Sequence, residues 1–193
     1  RGIRYQSAGE NCWADQDDLY DRILPEFDPD IVFLAHRPVD DPADLMGIAD
    51  VDEGLLAKGS AAAAEALDAR LRATVEELRR DGRTVVMFEP IPVLPTDVNP
   101  LQCLSTAIST APCRFVASDG PLGQEQAMRA LAGADEEVVL VDLDPMTCPY
   151  LPICDPVVSG KIVRRDNNHL TVSYATSLAD QVDRYLDAKG VWD

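Results

Sequence analysis

Residues 60–89 read Ser60-Ala-Ala-Ala-Ala-Glu-Ala-Leu-Asp-Ala-Arg-Leu-Arg-Ala-Thr-Val-Glu-Glu-Leu-Arg-Arg80-Asp-Gly-Arg-Thr84-Val-Val-Met-Phe-Glu89. The first part has the period of a helix and the last part that of a covered strand. Ala64, Leu67, Leu71, Val75 and Leu78 recur at spacings of three and four, which places them on one helical face. Ser60 stands where a helix takes its N-cap, Glu76 and Arg80 are four apart as an ion pair would be, and Gly82 follows the end. Thr84–Glu89 shows no apolar–polar alternation, the pattern of a strand buried on both faces of a parallel sheet.

The same alternation continues on either side. Residues 16–27 read as a short helix closed by Pro29, and Ile31-Val-Phe-Leu-Ala35 as a buried strand. Residues 38–59 are rich in Pro, Asp and Gly and read as a loop. Prolines 90, 92, 95 and 100 break the next stretch. Phe115–Ala117 suits either a short strand or a loop. A helix over 121–133, a strand over Val138–Leu143 and a last helix over Val172–Lys189 complete the series. In that last helix Ala175, Leu178, Val182 and Leu186 point inward, Thr171 caps the start and Gly190 ends it. Strands alternating with helices predict an α/β class with a mostly parallel sheet flanked by helices, and 193 residues suit one domain.

Composition narrows the function. The 34 acidic residues against 17 basic ones give a net charge of −17, a surface that repels phosphate backbones, so nucleic acid is excluded as a partner. No apolar run approaches the roughly 20 residues of a membrane-spanning helix. Of the five cysteines, Cys103 and Cys113 bracket one short loop, and Cys148 and Cys154 another, Pro-Tyr-Leu-Pro-Ile. Close pairs of this kind are what an oxidising compartment stabilises as disulfides. Only two histidines exist and neither joins a cysteine cluster, so no zinc site or other metal is expected. Cys12 is left over, either as a free thiol or as the partner of a cysteine upstream. Trp13 beside it reads as a loop anchor.

The imidazoles that can act as bases are His36 and His169. His169 follows the β-like stretch Lys161–Arg165 and precedes the capping Thr171 by two residues, which sets it on a loop at the mouth of a helix. Asp166 is three residues earlier in that loop. This spacing lets the carboxylate fold back onto one ring nitrogen, fixing the tautomer and leaving the other to take a proton from a nucleophile. His36 and Arg37 end the strand at 31–35 and are candidates for substrate or oxyanion contacts; Glu89, ending the Thr84 strand, is a weaker one.

Taken together, the loop Cys148-Pro-Tyr-Leu-Pro-Ile-Cys154, the stretch Gly160-Lys-Ile-Val-Arg-Arg, the run Asp166-Asn-Asn-His169-Leu-Thr171 and the amphipathic C-terminal helix resemble the SGNH hydrolase-like domain fused to acyltransferase-3 membrane proteins of bacteria. That family closes on an Asp-x-x-His-Leu-Thr block, matched here at Asp166, His169, Leu170 and Thr171, and a cysteine-bracketed loop commonly precedes it. Residues 18–35 and Asn99-Pro-Leu-Gln-Cys-Leu-Ser105 resemble its earlier helix, strand and mid-domain loop. The resemblance implies a three-layer α/β/α, flavodoxin-like fold. It implies O-acyl (mostly acetyl) transfer to cell-envelope carbohydrate on the extracytoplasmic face, with His169 and Asp166 as base and orienting acid. The implied partners are an acyl donor, a carbohydrate acceptor and a fused integral-membrane domain; no cofactor is implied.

One departure stands out. The family's nucleophile lies in a Gly-Asp-Ser block after the first strand. None of the eight serines here (7, 60, 105, 109, 118, 159, 173, 177) lies in such a block or in Gly-x-Ser-x-Gly. The expectation is therefore a single SGNH-like domain over 1–193 that lacks its first strand and its serine, a fragment inactive by itself. A carbohydrate O-acetyl esterase, or a non-catalytic carbohydrate-binding or accessory module with a decayed site, are the alternatives.

Overall fold

The computed structural model describes residues 1–5, 11–41, 47–117 and 121–192. Two of the eight serines, 7 and 118, and part of the 38–59 loop lie outside the described residues. In chain order the elements begin with β1 (Ile3–Tyr5), α1 (Cys12–Asp18), a π-helical segment (Leu19–Ile23), α2 (Leu24–Phe27), β2 (Ile31–Ala35), β3 (Ile48–Asp50), β4 (Gly54–Leu56), α3 (Ala61–Leu78) and β5 (Thr84–Phe88). They continue with α4 (Pro100–Thr106), β6 (Phe115–Val116), α5 (Gly123–Ala134), β7 (Val138–Val141), α6 (Asp144–Thr147), β8 (Ile153–Cys154), β9 (Val157–Val158), β10 (Lys161–Ile162) and α7 (Val172–Ala188). The chain forms two compact units, Arg1–Phe88 with Leu122–Leu140, and Glu89–Pro121 with Val141–Asp193.

The first unit is built on a parallel sheet in the order β2-β5-β7, with Val32 opposite Val85 and Leu34 opposite Met87. The class is α/β, as the alternation predicts. Val85, Val86 and Met87 expose no surface, so consecutive residues facing opposite ways are all covered. Leu71, Val75 and Leu78 of α3 pack on Val85 and Met87 together with Ala127 and Met128 of α5. Ser60 caps α3 by accepting the Ala63 N–H at 3.1 Å. The inward alanine is Ala63, not Ala64, because Thr74 is buried as well and the apolar face is turned by one position. The Glu76–Arg80 pair is not formed among the described residues. Arg79 instead reaches Asp135 and Glu137 beyond the end of α5.

The stretch 38–59 is more ordered than its composition predicts. It contributes β3 and β4, an antiparallel hairpin that β1 joins on the other side of β3. What the composition hides is Asp50. Its carboxylate is 3 % exposed and accepts Arg70 Nε at 2.7 Å and Nη2 at 3.0 Å, with the N–H groups of Asp52 at 2.8 Å and Glu53 at 3.2 Å. Arg70 belongs to α3, so one bidentate pair ties hairpin to helix. Gly2 makes room for it, since a Cβ there would come within 2.9 Å of the Arg70 side chain, and its φ of 86° suits glycine.

The second unit has no strand longer than two residues among those described. β6 pairs with β8 and β9 with β10, all antiparallel, which settles Phe115–Val116 as a strand. Both expected disulfides form, Cys103–Cys113 and Cys148–Cys154. The second is buried with Leu94, Phe115 and Ala117 and forms the centre of this unit's core. α7 is capped by Thr171, which accepts the Tyr174 N–H at 3.2 Å. Its inward face is set by Tyr174 and Leu186; Ala175 is exposed, because the Tyr174 hydroxyl donates to the buried Met146 carbonyl and pulls that position in. Trp13, expected in a loop, lies in α1 with the Arg4 guanidinium over its ring.

The Arg70 side-chain hydrogen bonds hold the Asp50 carboxyl well below the ordinary range, at about 2, against the opposing effect of its burial. A depressed carboxyl stabilises the fold above its unfolded pKa of about 4 and loses that contribution as pH falls through its folded value. Asp50→Asn should therefore lower stability by about 1–3 kcal/mol at neutral pH. The difference from wild type, measured by urea denaturation, should shrink between about pH 4 and pH 2.

Candidate active site

The loop that carries Asp166 and His169 is closed at its root by backbone pairing. Arg164 bridges Leu170, the Arg165 N–H donates to the His169 carbonyl at 2.9 Å, and the Thr171 N–H donates to Val163 at 2.9 Å. Thr171 also donates its hydroxyl to the Ile162 carbonyl, so the residue that caps α7 fastens the loop to β10. On the other side the Leu94 N–H donates to the Asn167 carbonyl at 2.9 Å, which ties the loop to the proline-rich stretch.

Within this frame Asp166 turns its carboxylate inward over the loop. One oxygen accepts the N–H of Asn168 at 3.1 Å and that of His169 at 2.8 Å. The imidazole Nδ1 of His169 lies 2.9 and 3.0 Å from the two carboxylate oxygens. Arg165 approaches from the solvent side, with Nε at 3.4 Å. Partial burial pushes the Asp166 carboxyl up, but the two backbone N–H groups and the imidazole outweigh it, so the group titrates below its ordinary value. Ionised, it accepts a hydrogen bond from Nδ1–H, which leaves Nε2 as the unprotonated nitrogen on the other side of the ring. That is the arrangement in which an imidazole serves as a base. The His169 side chain is 55 % exposed and within reach of a substrate.

His36 and Arg37 belong to the first unit and the Asp166–His169 pair to the second. Just past β2, His36 has Nδ1 at 2.7 Å from the Arg37 carbonyl, so that nitrogen carries the proton, and its Nε2 is buried with no partner among the described residues. The ring lines a cavity of about 360 Å³ whose walls include Ile3, Tyr5, Leu34, Leu67 and Leu71. The Arg37 guanidinium sits over Tyr5, 5.8 Å from the ring centre. Cys12 is a free thiol on the same cavity. Glu89, one residue past β5, is in the second unit and 1 % exposed. Sequence reasoning passed over Arg164, treated as one more residue of a β-like stretch; its side chain is among the most deeply buried of the chain. The alternation Val163-Arg164-Arg165 held no signal for this, since one arginine is sealed and its neighbour exposed.

One unit thus carries a parallel α/β sheet, and the other a disulfide-stapled core leading to an Asp-x-x-His loop at a helix mouth. Residues 1–184 match the family model of the SGNH domain fused to AT3 (acyltransferase-3) domains. The chain belongs to that family, as its sequence motifs imply. No curated protein and no solved structure matches it. No helix among the described residues is long and apolar enough to cross a membrane.

The loop geometry gives a direct test. Asp166→Ala removes the acceptor of two backbone N–H groups and of the ring, so the amides of Asn168 and His169 should exchange with solvent at least tenfold faster. Amides of α3 should be unaffected. Unchanged protection at Asn168 and His169 would show that the carboxylate does not hold the loop.

Proposed function

We propose that this SGNH-type acyltransferase or hydrolase domain transfers O-acyl groups, typically acetyl, to cell-envelope polysaccharide or glycolipid on the extracytoplasmic side of a membrane. The observation that carries the reading is the contact of Asp166 with Nδ1 of His169, which commits one ring nitrogen and orients the other. Two disulfides agree with an oxidising location. Family membership supports fusion to an integral-membrane acyltransferase-3 domain.

The 193 residues contain no Gly-Asp-Ser block, so in this mechanism the serine comes from a segment outside them. His169 Nε2 takes the serine proton as Oγ bonds to the acyl carbonyl carbon, and Asp166 stabilises the imidazolium. The tetrahedral adduct collapses by breaking the bond to the donor's leaving group, which takes the proton from His169. An acceptor hydroxyl then gives its proton to Nε2 and attacks the acyl-serine, and Oγ leaves with that proton. His36, with a buried Nε2 facing an apolar cavity, and Arg37 beside it are the proposed substrate contacts.

In the protein that carries its serine block, His169→Ala should lower acyl transfer by about 10⁴-fold or more, and Asp166→Asn by about 10²–10⁴-fold. Turnover of the His169 variant within tenfold of wild type would sink the mechanism. Product analysis with a carbohydrate present separates transfer, which yields acylated carbohydrate, from hydrolysis, which yields free acid. Absence of both in the wild-type protein would favour an accessory module.

A further inference from the structure

Residues 156–179 are the basic part of an acidic chain. They carry Lys161, Arg164 and Arg165, three of the 17 basic residues, against Asp166, one of the 34 acidic ones. His169 lies within that stretch. Arg164 is sealed inside, whereas Arg165 and His169 are exposed, so the cation a substrate can meet beside the imidazole is Arg165.

Arg165 and His169 flank one carboxylate. The ring Nδ1 stands 2.9 and 3.0 Å from the two oxygens of Asp166, and Arg165 Nε stands 3.4 Å from one of them. Guanidinium and imidazole are therefore neighbours, near enough for one sugar ring to touch both. Yet Arg165 does not close on its carboxylate as other arginines of the chain do. Arg22 holds Asp18 through Nε at 2.6 Å and Nη2 at 2.7 Å, and Arg72 holds Asp68 through the same two nitrogens at 2.8 and 3.1 Å. Arg165 reaches Asp166 by Nε alone, beyond the usual length of a hydrogen bond. Asp166 already accepts the N–H groups of Asn168 and His169 and faces the ring. The terminal nitrogens of Arg165 thus keep their donors for another acceptor, with none among the described residues, on a side chain 63 % exposed. Water meets such donors on an ordinary surface; here they stand beside an imidazole, in the basic stretch of a chain with twice as many acids as bases.

We propose that Arg165 is a specificity-determining residue, whose terminal nitrogens take an anionic group, carboxylate or phosphate, of a sugar bound at His169. A guanidinium presents parallel N–H donors that match two oxygens of either group. The net charge of −17 repels such a sugar from the rest of the surface and leaves this stretch as the place where it binds. That the sugar is a reactant rests on the function proposed above; the binding of an anionic sugar at Arg165 does not.

The experiment is a nitrogen-15 NMR titration of the 193-residue chain, following the Arg165 Nε–H and the His169 ring. The probes are methyl glucuronide, glucose 1-phosphate and the neutral methyl glucoside. At least one of the anionic sugars should shift both groups and bind about fivefold or more tightly than the glucoside. The tighter of the two identifies carboxylate or phosphate as the preferred group. Arg165→Gln should bring the anionic sugar down to the affinity of the glucoside, and Arg165→Lys should keep part of the difference. Equal binding of the neutral sugar, no shift with any probe up to about 50 mM, or unchanged affinity in the Gln variant overturns the proposal. So do equal shifts from sodium acetate or inorganic phosphate at the same concentrations, which would mean an adventitious ion only. The Gln variant should leave the free-state amide signals of Asn168 and His169 in place; if it moves them, Arg165 supports the loop and the proposal falls. No acyl-transfer assay enters this readout, so failure here leaves the His169 test untouched, and the reverse holds.

Discussion

The Asp166 carboxylate receives the backbone N–H groups of Asn168 and His169 and the His169 ring at the same time, and the candidate site depends on that convergence. A loop of so few residues has little apolar surface to bury, so its shape has to come from hydrogen bonds. The backbone bonds fix where the carboxylate sits relative to the chain. The ring contact then fixes the imidazole relative to the carboxylate. One acid thus shapes the loop and orients the imidazole, and either effect would be lost with the other.

That loop is held from three directions within its unit. Thr171 closes it against β10 while capping α7, so the start of the helix and the end of the loop share one side chain. Leu94 holds its far side through Asn167. Beneath lies a small core in which the Cys148–Cys154 bridge packs with Phe115. This unit's strands are two residues long and supply few ladder bonds, so the covalent links compensate for a core too small to order the loops by itself. Arg164, lying on Phe115, is where that core meets the site.

The first unit solves a similar problem by a different route. Its parallel sheet packs with the helices α3 and α5 around an apolar core. The acidic excess of the chain is managed there by pairing: Asp50 with Arg70, Asp68 with Arg72, and Asp135 and Glu137 with Arg79. Only the first of these is well buried, so it is the one that contributes most to holding elements together.

Much of this was legible in the residues alone. The covered strand β5 announces itself by a continuous apolar run and α3 by its period; β2 has the same kind of run, yet it is not buried as the run predicts, for Phe33 is 50 % exposed and Ala35 is exposed. The cysteine pairs were legible because loops of five and nine residues leave few other partners. The Asp166–His169 contact was legible because three residues of loop suffice to bring the two side chains together. What the sequence could not show depends on partners far along the chain. The hairpin of β3 and β4 looked like loop because the reason for its order, the Asp50–Arg70 pair, joins residues 20 apart. The turn of α7 that buries Tyr174 rather than Ala175 is decided by the Met146 carbonyl, 28 residues away. The burial of Arg164 was hidden for the same reason. Two adjacent arginines are alike in sequence, and only the tertiary structure decides that one meets water and the other meets Phe115, because burial belongs to the surroundings of a side chain and not to its type.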